Sequence, residues 1–93
     1  MTIGVLTVEI FIPDSLSLKD KRRVLKSLKE RLKNSFNISI AEIEHHGKWQ
    51  RAKMAIVNVD AGKRIAESRL GKVLDFIDKF NKVQLLDSKM ELL

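Results

Sequence analysis

The chain has no cysteine and no tyrosine, a single tryptophan, one proline and four glycines among its 93 residues. Without cysteine, a disulfide framework, a thiolate metal site and a thiol nucleophile are all excluded. So little proline and glycine leaves small room for long loops. No apolar run approaches the roughly 20 residues that a membrane-spanning helix needs. Met1-Thr2-Ile3-Gly4-Val5 runs directly into a strand-like pattern, without a basic segment or a small-residue cleavage site, so the expected location is the cytoplasm. There is no Gly-rich phosphate loop and no histidine with a carboxylate at a useful spacing. An enzyme is therefore not expected, and no catalytic residue, cofactor or metal ligand is assigned.

What is present is a globular composition, 44% hydrophobic and 32% charged, of a size that makes one domain over residues 1–93. The net charge is +6, and its distribution is uneven. Of the 18 basic and 12 acidic residues, eight and two fall between Lys19 and Lys33, and the ten of each sign that remain cancel. One short segment thus holds the whole excess, which points to a surface that meets a polyanion.

From Ile3 to Ile12, β-branched residues dominate and Leu6, Val8, Ile10 and Ile12 share one parity, as a strand requires. Pro13-Asp14 stops it. Ser17-Leu18-Lys19-Asp20 fits a capping box, with the Asp20 carboxylate reaching back to the cap. The helix that follows carries Val24, Leu25, Leu28 and Leu32 in one arc and ends at Asn34-Ser35. Phe36, Ile38 and Ile40 alternate with polar or small residues through Ala41, giving a second strand. His46-Gly47-Lys48 makes a turn, and a third strand runs from Gln50 to Val59. Asp60 is the expected N-cap of a second helix in which Ile65, Ala66, Leu70, Val73, Ile77 and Phe80 share a face. Gly71 falls on its polar side. A fourth strand spans Val83 to Leu92. The order β-α-β-β-α-β closes most economically as an α+β, ferredoxin-like sandwich, with both helices on one face of a four-stranded antiparallel sheet.

The run Ser17-Leu18-Lys19-Asp20-Lys21-Arg22 after the first strand, followed by Phe36-Asn37, Ala41-Glu42 and Trp49-Gln50, resembles the YlxP-like family of small bacterial proteins along essentially the whole chain. The resemblance implies a ferredoxin-like fold. It also implies a gene often found beside translation and ribosome-maturation factors such as ribosome-binding factor A. It carries over no catalytic residue.

On a helical wheel, Lys19, Arg22, Lys26, Lys29 and Lys33 lie within about 80° of one another, at intervals of three and four residues. Asp20 and Glu30 fall outside this ridge. Like charges at that spacing repel by a few tenths of a kcal/mol per pair, so an unneutralised ridge is either a solvated face or a surface kept for a partner. These five residues, with Arg23 auxiliary, are the candidate nucleic-acid contacts. Lys21 falls instead in the middle of the apolar arc, where a lysine must snorkel or pair. Glu42 shares parity with Phe36, Ile38 and Ile40 and should face the start of the first helix, so a structural Lys21–Glu42 ion pair is expected. Arg69 similarly interrupts the second helix's apolar arc and should pack or pair. His45 and His46 are adjacent on an extended chain and point to opposite faces, which makes joint chelation of a metal awkward. Phe11, Trp49, Arg51 and Lys53 are candidate contacts on the open sheet face, an arrangement that stacks bases in RNA-recognition sheets. The third strand, however, lacks the aromatic residues of that signature.

Two functions fit. The first is a non-enzymatic RNA- or ribosome-associated protein that sets the ridge on phosphates. The second is a homodimerising regulatory module that binds a small acidic ligand or a protein partner and uses the open sheet face, where Val5, Ala55 and Val57 also lie.

Overall fold

Six elements follow one another in a computed structural model that describes all of residues 1–93: β1 (Thr2–Phe11), α1 (Leu18–Ser35), β2 (Ser39–Glu44), β3 (Arg51–Asp60), α2 (Lys63–Lys79) and β4 (Gln84–Leu92). The sheet order is β2-β3-β1-β4 with every neighbouring pair antiparallel, and both helices cover one face. This is the ferredoxin-like βαββαβ sandwich.

The period-two pattern of β1 and β3 determines which side is which. Leu6, Val8 and Ile10 of β1 and Ala52, Met54 and Ile56 of β3 are essentially inaccessible, and their odd-numbered neighbours are half-buried on the open face. Leu25, Leu28 and Leu32 of α1 and Leu70, Val73 and Ile77 of α2 close the core from above. Each such side chain contributes about 1.5–3 kcal/mol relative to exposure. One backbone position is dictated by close approach. A Cβ on Gly4 would stand 2.7 Å from Leu70 Cδ1 and closer still to Asn58 Oδ1, so β1 and α2 pack together there only because the side chain is missing. Gly71 has open space around it and no such role.

Several local expectations are corrected. The second strand begins at Ser39 rather than Phe36 and continues to Glu44. Phe36 terminates α1, its amide donating to the Leu32 carbonyl, and its ring is partly buried against the core. Ser17 does cap α1 by accepting from the Asp20 amide at 3.0 Å, but the Asp20 carboxylate reaches the Leu16 amide, one residue beyond the cap. The N-cap of α2 is Gly62, not Asp60. Asp60 is occupied elsewhere: Arg69 donates to both of its oxygens at 3.1 Å, and Asn58 Nδ2 donates to Oδ2 at 2.7 Å. Ile65, placed on the apolar face of α2 by its spacing, is 52% exposed.

Candidate nucleic-acid interface

Lys21 is the anchor around which the site is built. Its stem is buried beside Leu25 and Leu28, with 2% of the side chain exposed. The ammonium group lies 2.7 Å from Glu42 Oε2 and donates to the His45 carbonyl at 2.6 Å. The contact with Glu42 is coulombic by its distance, although its angle is not that of a hydrogen bond. The same His45 carbonyl accepts the Lys48 amide at 3.0 Å, closing the turn between β2 and β3. His45 adopts the left-handed region, with φ of 67°, so its carbonyl meets Lys21 while its imidazole Nε2 lies 2.6 Å from Glu9 Oε1. One residue thereby ties α1, β2 and the β2–β3 turn to β1.

This clamp fixes α1 alongside the edge strand β2. Arg22, Lys26, Lys29 and Lys33 project from α1 and line a groove of about 310 Å3 whose wall on the sheet side is Glu42 and whose helix side includes Leu25 and Glu30. None of the four cations makes a salt bridge, although six ion pairs form elsewhere in the molecule. Lys21 neutralises Glu42, so only Glu30 offsets the four charges and the groove is strongly positive. Lys19 is exposed at the start of the same helix, outside the groove. Arg23, expected to assist, instead lines a different hollow with Asp14, Asp20 and Lys82, where acids offset it. It is not brought to the ridge.

At the C-terminal end of α1 the groove opens into a hollow formed by residues 33–40, with Lys33 common to both. Ser35 and Phe36 then border a further hollow of about 440 Å3 against α2, lined by Arg64, Ser68, Arg69 and Lys72. Arg69 is committed to Asp60, whose carboxylate raises the guanidinium's pKa, but Arg64 and Lys72 have no acidic partner. The sequence reading missed these two. Their helix mixes five basic with three acidic residues, so its small excess disappears in the balance of the chain outside residues 19–33; the signal was the row Arg64-Ser68-Lys72, at intervals of four with no acid in it.

The sheet-face candidates have other commitments. Arg51 is 3.1 Å from Glu9, and Lys53 is 2.8 Å from Glu44. Hydrogen bonds from His45 first and Arg51 second hold the Glu9 carboxyl below its ordinary pKa, and Lys53 does the same for Glu44. Glu44 in turn raises the pKa of Lys53. Trp49 is 56% exposed in the loop before β3, Phe11 is half-buried at the end of β1, and the two rings do not stack on each other. The two histidines part company, His45 bonding to Glu9 and His46 lying exposed.

Comparison with known proteins agrees with the sequence pattern over nearly the full chain. A family described as protein of unknown function (DUF503) matches residues 3–90. The uncharacterized protein YlxP of Bacillus subtilis (strain 168) is 39% identical over 89 residues, covering 96% of this chain and 97% of its own length. A solved structure described as a dimeric ferredoxin-like protein from an uncultured marine organism aligns over 99% of this chain and 94% of its own, at 12% identity and a TM-score of 0.48. No helix is long and apolar enough to cross a membrane. With a family model matching residues 3–90 and a relative 39% identical over nearly its whole length, the chain belongs to the family described as protein of unknown function (DUF503).

Proposed function

We propose that this protein is a non-enzymatic, cytoplasmic RNA- or ribosome-associated protein that lays the basic groove of α1 against phosphates. The observation that carries the reading is that Arg22, Lys26, Lys29 and Lys33 share one groove and have no acidic partner, in a molecule that pairs Lys21, Arg51, Lys53, Arg69 and Lys89. Along α1, Arg22 to Lys33 spans about 16 Å. Arg64 and Lys72 extend the positive surface around the end of the helix. Long side chains, exposed at Arg22, Lys26 and Lys33 and half-buried at Lys29, suit phosphate contact, which is electrostatic and largely indifferent to base sequence.

The test is a salt titration of binding to a structured RNA, comparing wild type with the fourfold variant Arg22→Gln, Lys26→Gln, Lys29→Gln, Lys33→Gln. Folding should be unchanged or slightly improved, because repulsion along the helix is relieved. Affinity should fall steeply with little change in sequence preference, and the slope of log affinity against log salt should become shallower by up to about 3.6, at roughly 0.7–0.9 per lost contact. Equal affinity and slope in variant and wild type would reduce the ridge to a solvated face.

A further inference from the structure

The open face of the sheet, opposite the helices, divides into two zones. At one end Ile3 pairs with Val59 and Val5 with Val57, and Ala55 and Ala41 adjoin them across β3 and β2. These residues carry no charge, and Val59 is 56% exposed; on the β4 margin of this end Glu91 stands opposite Val5, paired with Lys89 at 3.0 Å. At the other end the charges are tied to one another: Glu9 to His45 and Arg51, Glu44 to Lys53. A β-bulge between Glu42 and Glu44 brings Glu44 opposite Lys53, which completes this set.

We propose that a second copy of this chain covers the open sheet face, the two sheets stacking as an aligned sandwich with their apolar ends together. Two observations select a second copy over a polyanion. The first is charge. Glu9, Glu44, Asp87 and Glu91 stand against Arg51, Lys53 and Lys89 across this face, leaving it near neutral and slightly acidic, while the unpaired cations are on the helix layer. A phosphate chain gains nothing there. A second copy brings no excess of like charge, and its helices and basic grooves point outward. The second is area. The strands hold 10, 6, 10 and 9 residues, and at about 3.3 Å per residue along and about 4.8 Å across them one face covers about 550 Å2, so full overlap of two faces covers roughly 1,100 Å2 in total, just above the approximate 1,000 Å2 that a specific interface needs. Aligned packing of two twisted sheets supplies the geometry.

This assembly does not depend on RNA binding. Light-scattering mass across 1–200 µM protein tests it, together with Val57→Glu and, at a position already more than half exposed, Val59→Lys. Wild type should reach twice the 10.7 kDa chain mass, and both variants should fall to that of one chain with unchanged far-UV circular dichroism. Should Val57→Glu fail to fold, Val59→Lys carries the test alone. Because the chain has no native cysteine, Val57→Cys adds a second readout: its thiol should resist alkylation at high protein concentration and react on dilution, whereas Lys26→Cys should react equally at both. A wild type that stays at one chain mass throughout, or folded variants that remain dimers, overturns the proposal. So does loss of RNA affinity in Val57→Glu without any change of mass, which would assign the face to RNA.

Discussion

Replacing Lys21 by methionine removes the ammonium group and keeps most of the stem that packs beside Leu25 and Leu28. What remains is Glu42 facing a neutral side chain, with 17% of its own side chain still in contact with water. The His45 carbonyl keeps its bond from the Lys48 amide, so it is not orphaned. Breaking a fully buried ion pair costs about 3–5 kcal/mol, and residual hydration of Glu42 puts this variant below that, at about 2–3 kcal/mol. Glu42→Leu is the harsher change. It leaves the cation, 2% exposed, with only the His45 carbonyl, and the full cost of about 4–5 kcal/mol applies. The double variant Lys21→Met, Glu42→Leu removes both charges together and should come within about 1–2 kcal/mol of wild type, because a well-packed apolar pair replaces the ions with little loss.

Urea denaturation followed by far-UV circular dichroism measures all three, since Trp49 is already 56% exposed in the native state and its fluorescence reports unfolding poorly. In a thermal scan the loss in Lys21→Met corresponds to a drop of roughly 10–20 °C for a domain of this size. Single variants within about 1 kcal/mol of wild type would mean the pair behaves like one on the surface. A Lys21→Met variant less stable than Glu42→Leu would refute the reasoning from relative burial.

Gly4→Ala forces a methyl group against Asn58 and Leu70 and should lower stability by about 1–3 kcal/mol, read from the urea midpoint. Gly71→Ala enters open space in the middle of α2 and should raise it by up to about 1 kcal/mol; a loss would show a close approach that the packing does not contain. The depressed pKa values of Glu9 and Glu44 give stability that is fully present above the ordinary carboxylate range and disappears as pH falls through the lowered folded-state values. Urea midpoints measured from pH 6 to pH 3 should therefore decline less steeply in the double variant Glu9→Gln, Glu44→Gln than in wild type; parallel declines would exclude these pairs as contributors.

The parts of the fold that sequence revealed are those governed by a single period. Alternation in β1 and β3 placed Leu6, Val8, Ile10, Met54 and Ile56 inside, and the helical arc Leu25-Leu28-Leu32 told which side of α1 meets the sheet. Element boundaries depended on competition between neighbours and were less readable. Phe36 and Ile38 look like strand residues, yet they are spent on closing the end of α1 and filling the core margin before the ladder with β3 begins at Ser39. Asp60 has the chemistry of a helix cap, but the bidentate bond from Arg69 claims its carboxylate, and a glycine takes the cap position.

The candidate site divides along the same line. A lysine in the apolar arc of α1 and a glutamate of the right parity in β2 were enough to bring Lys21 and Glu42 together, because each periodicity fixes a direction and the topology makes those directions meet. The third member of the clamp had no such signal. His45 joins through its carbonyl, which every residue has, and does so only because a positive φ turns that carbonyl toward Lys21 while the imidazole goes to Glu9. The ridge was legible for its row of charges, but the groove was not, since its second wall is the edge of a strand 20 residues away in sequence from Arg22. That wall changes the meaning of the row. Four cations on a free helix are a solvated surface, whereas four cations held beside a carboxylate already neutralised from below form a concave positive surface whose field is focused by the protein on both sides. The clamp therefore has a predicted functional cost when broken as well as a structural one. In the folded double variant Lys21→Met, Glu42→Leu the groove charge is unchanged, because one cation and one anion leave together, so RNA affinity should follow the position of α1 alone. Affinity equal to wild type would show that apolar packing suffices to hold the helix against β2, and a loss accompanied by a shallower salt slope would show that the ion pair sets the geometry in which Arg22, Lys26, Lys29 and Lys33 meet phosphates.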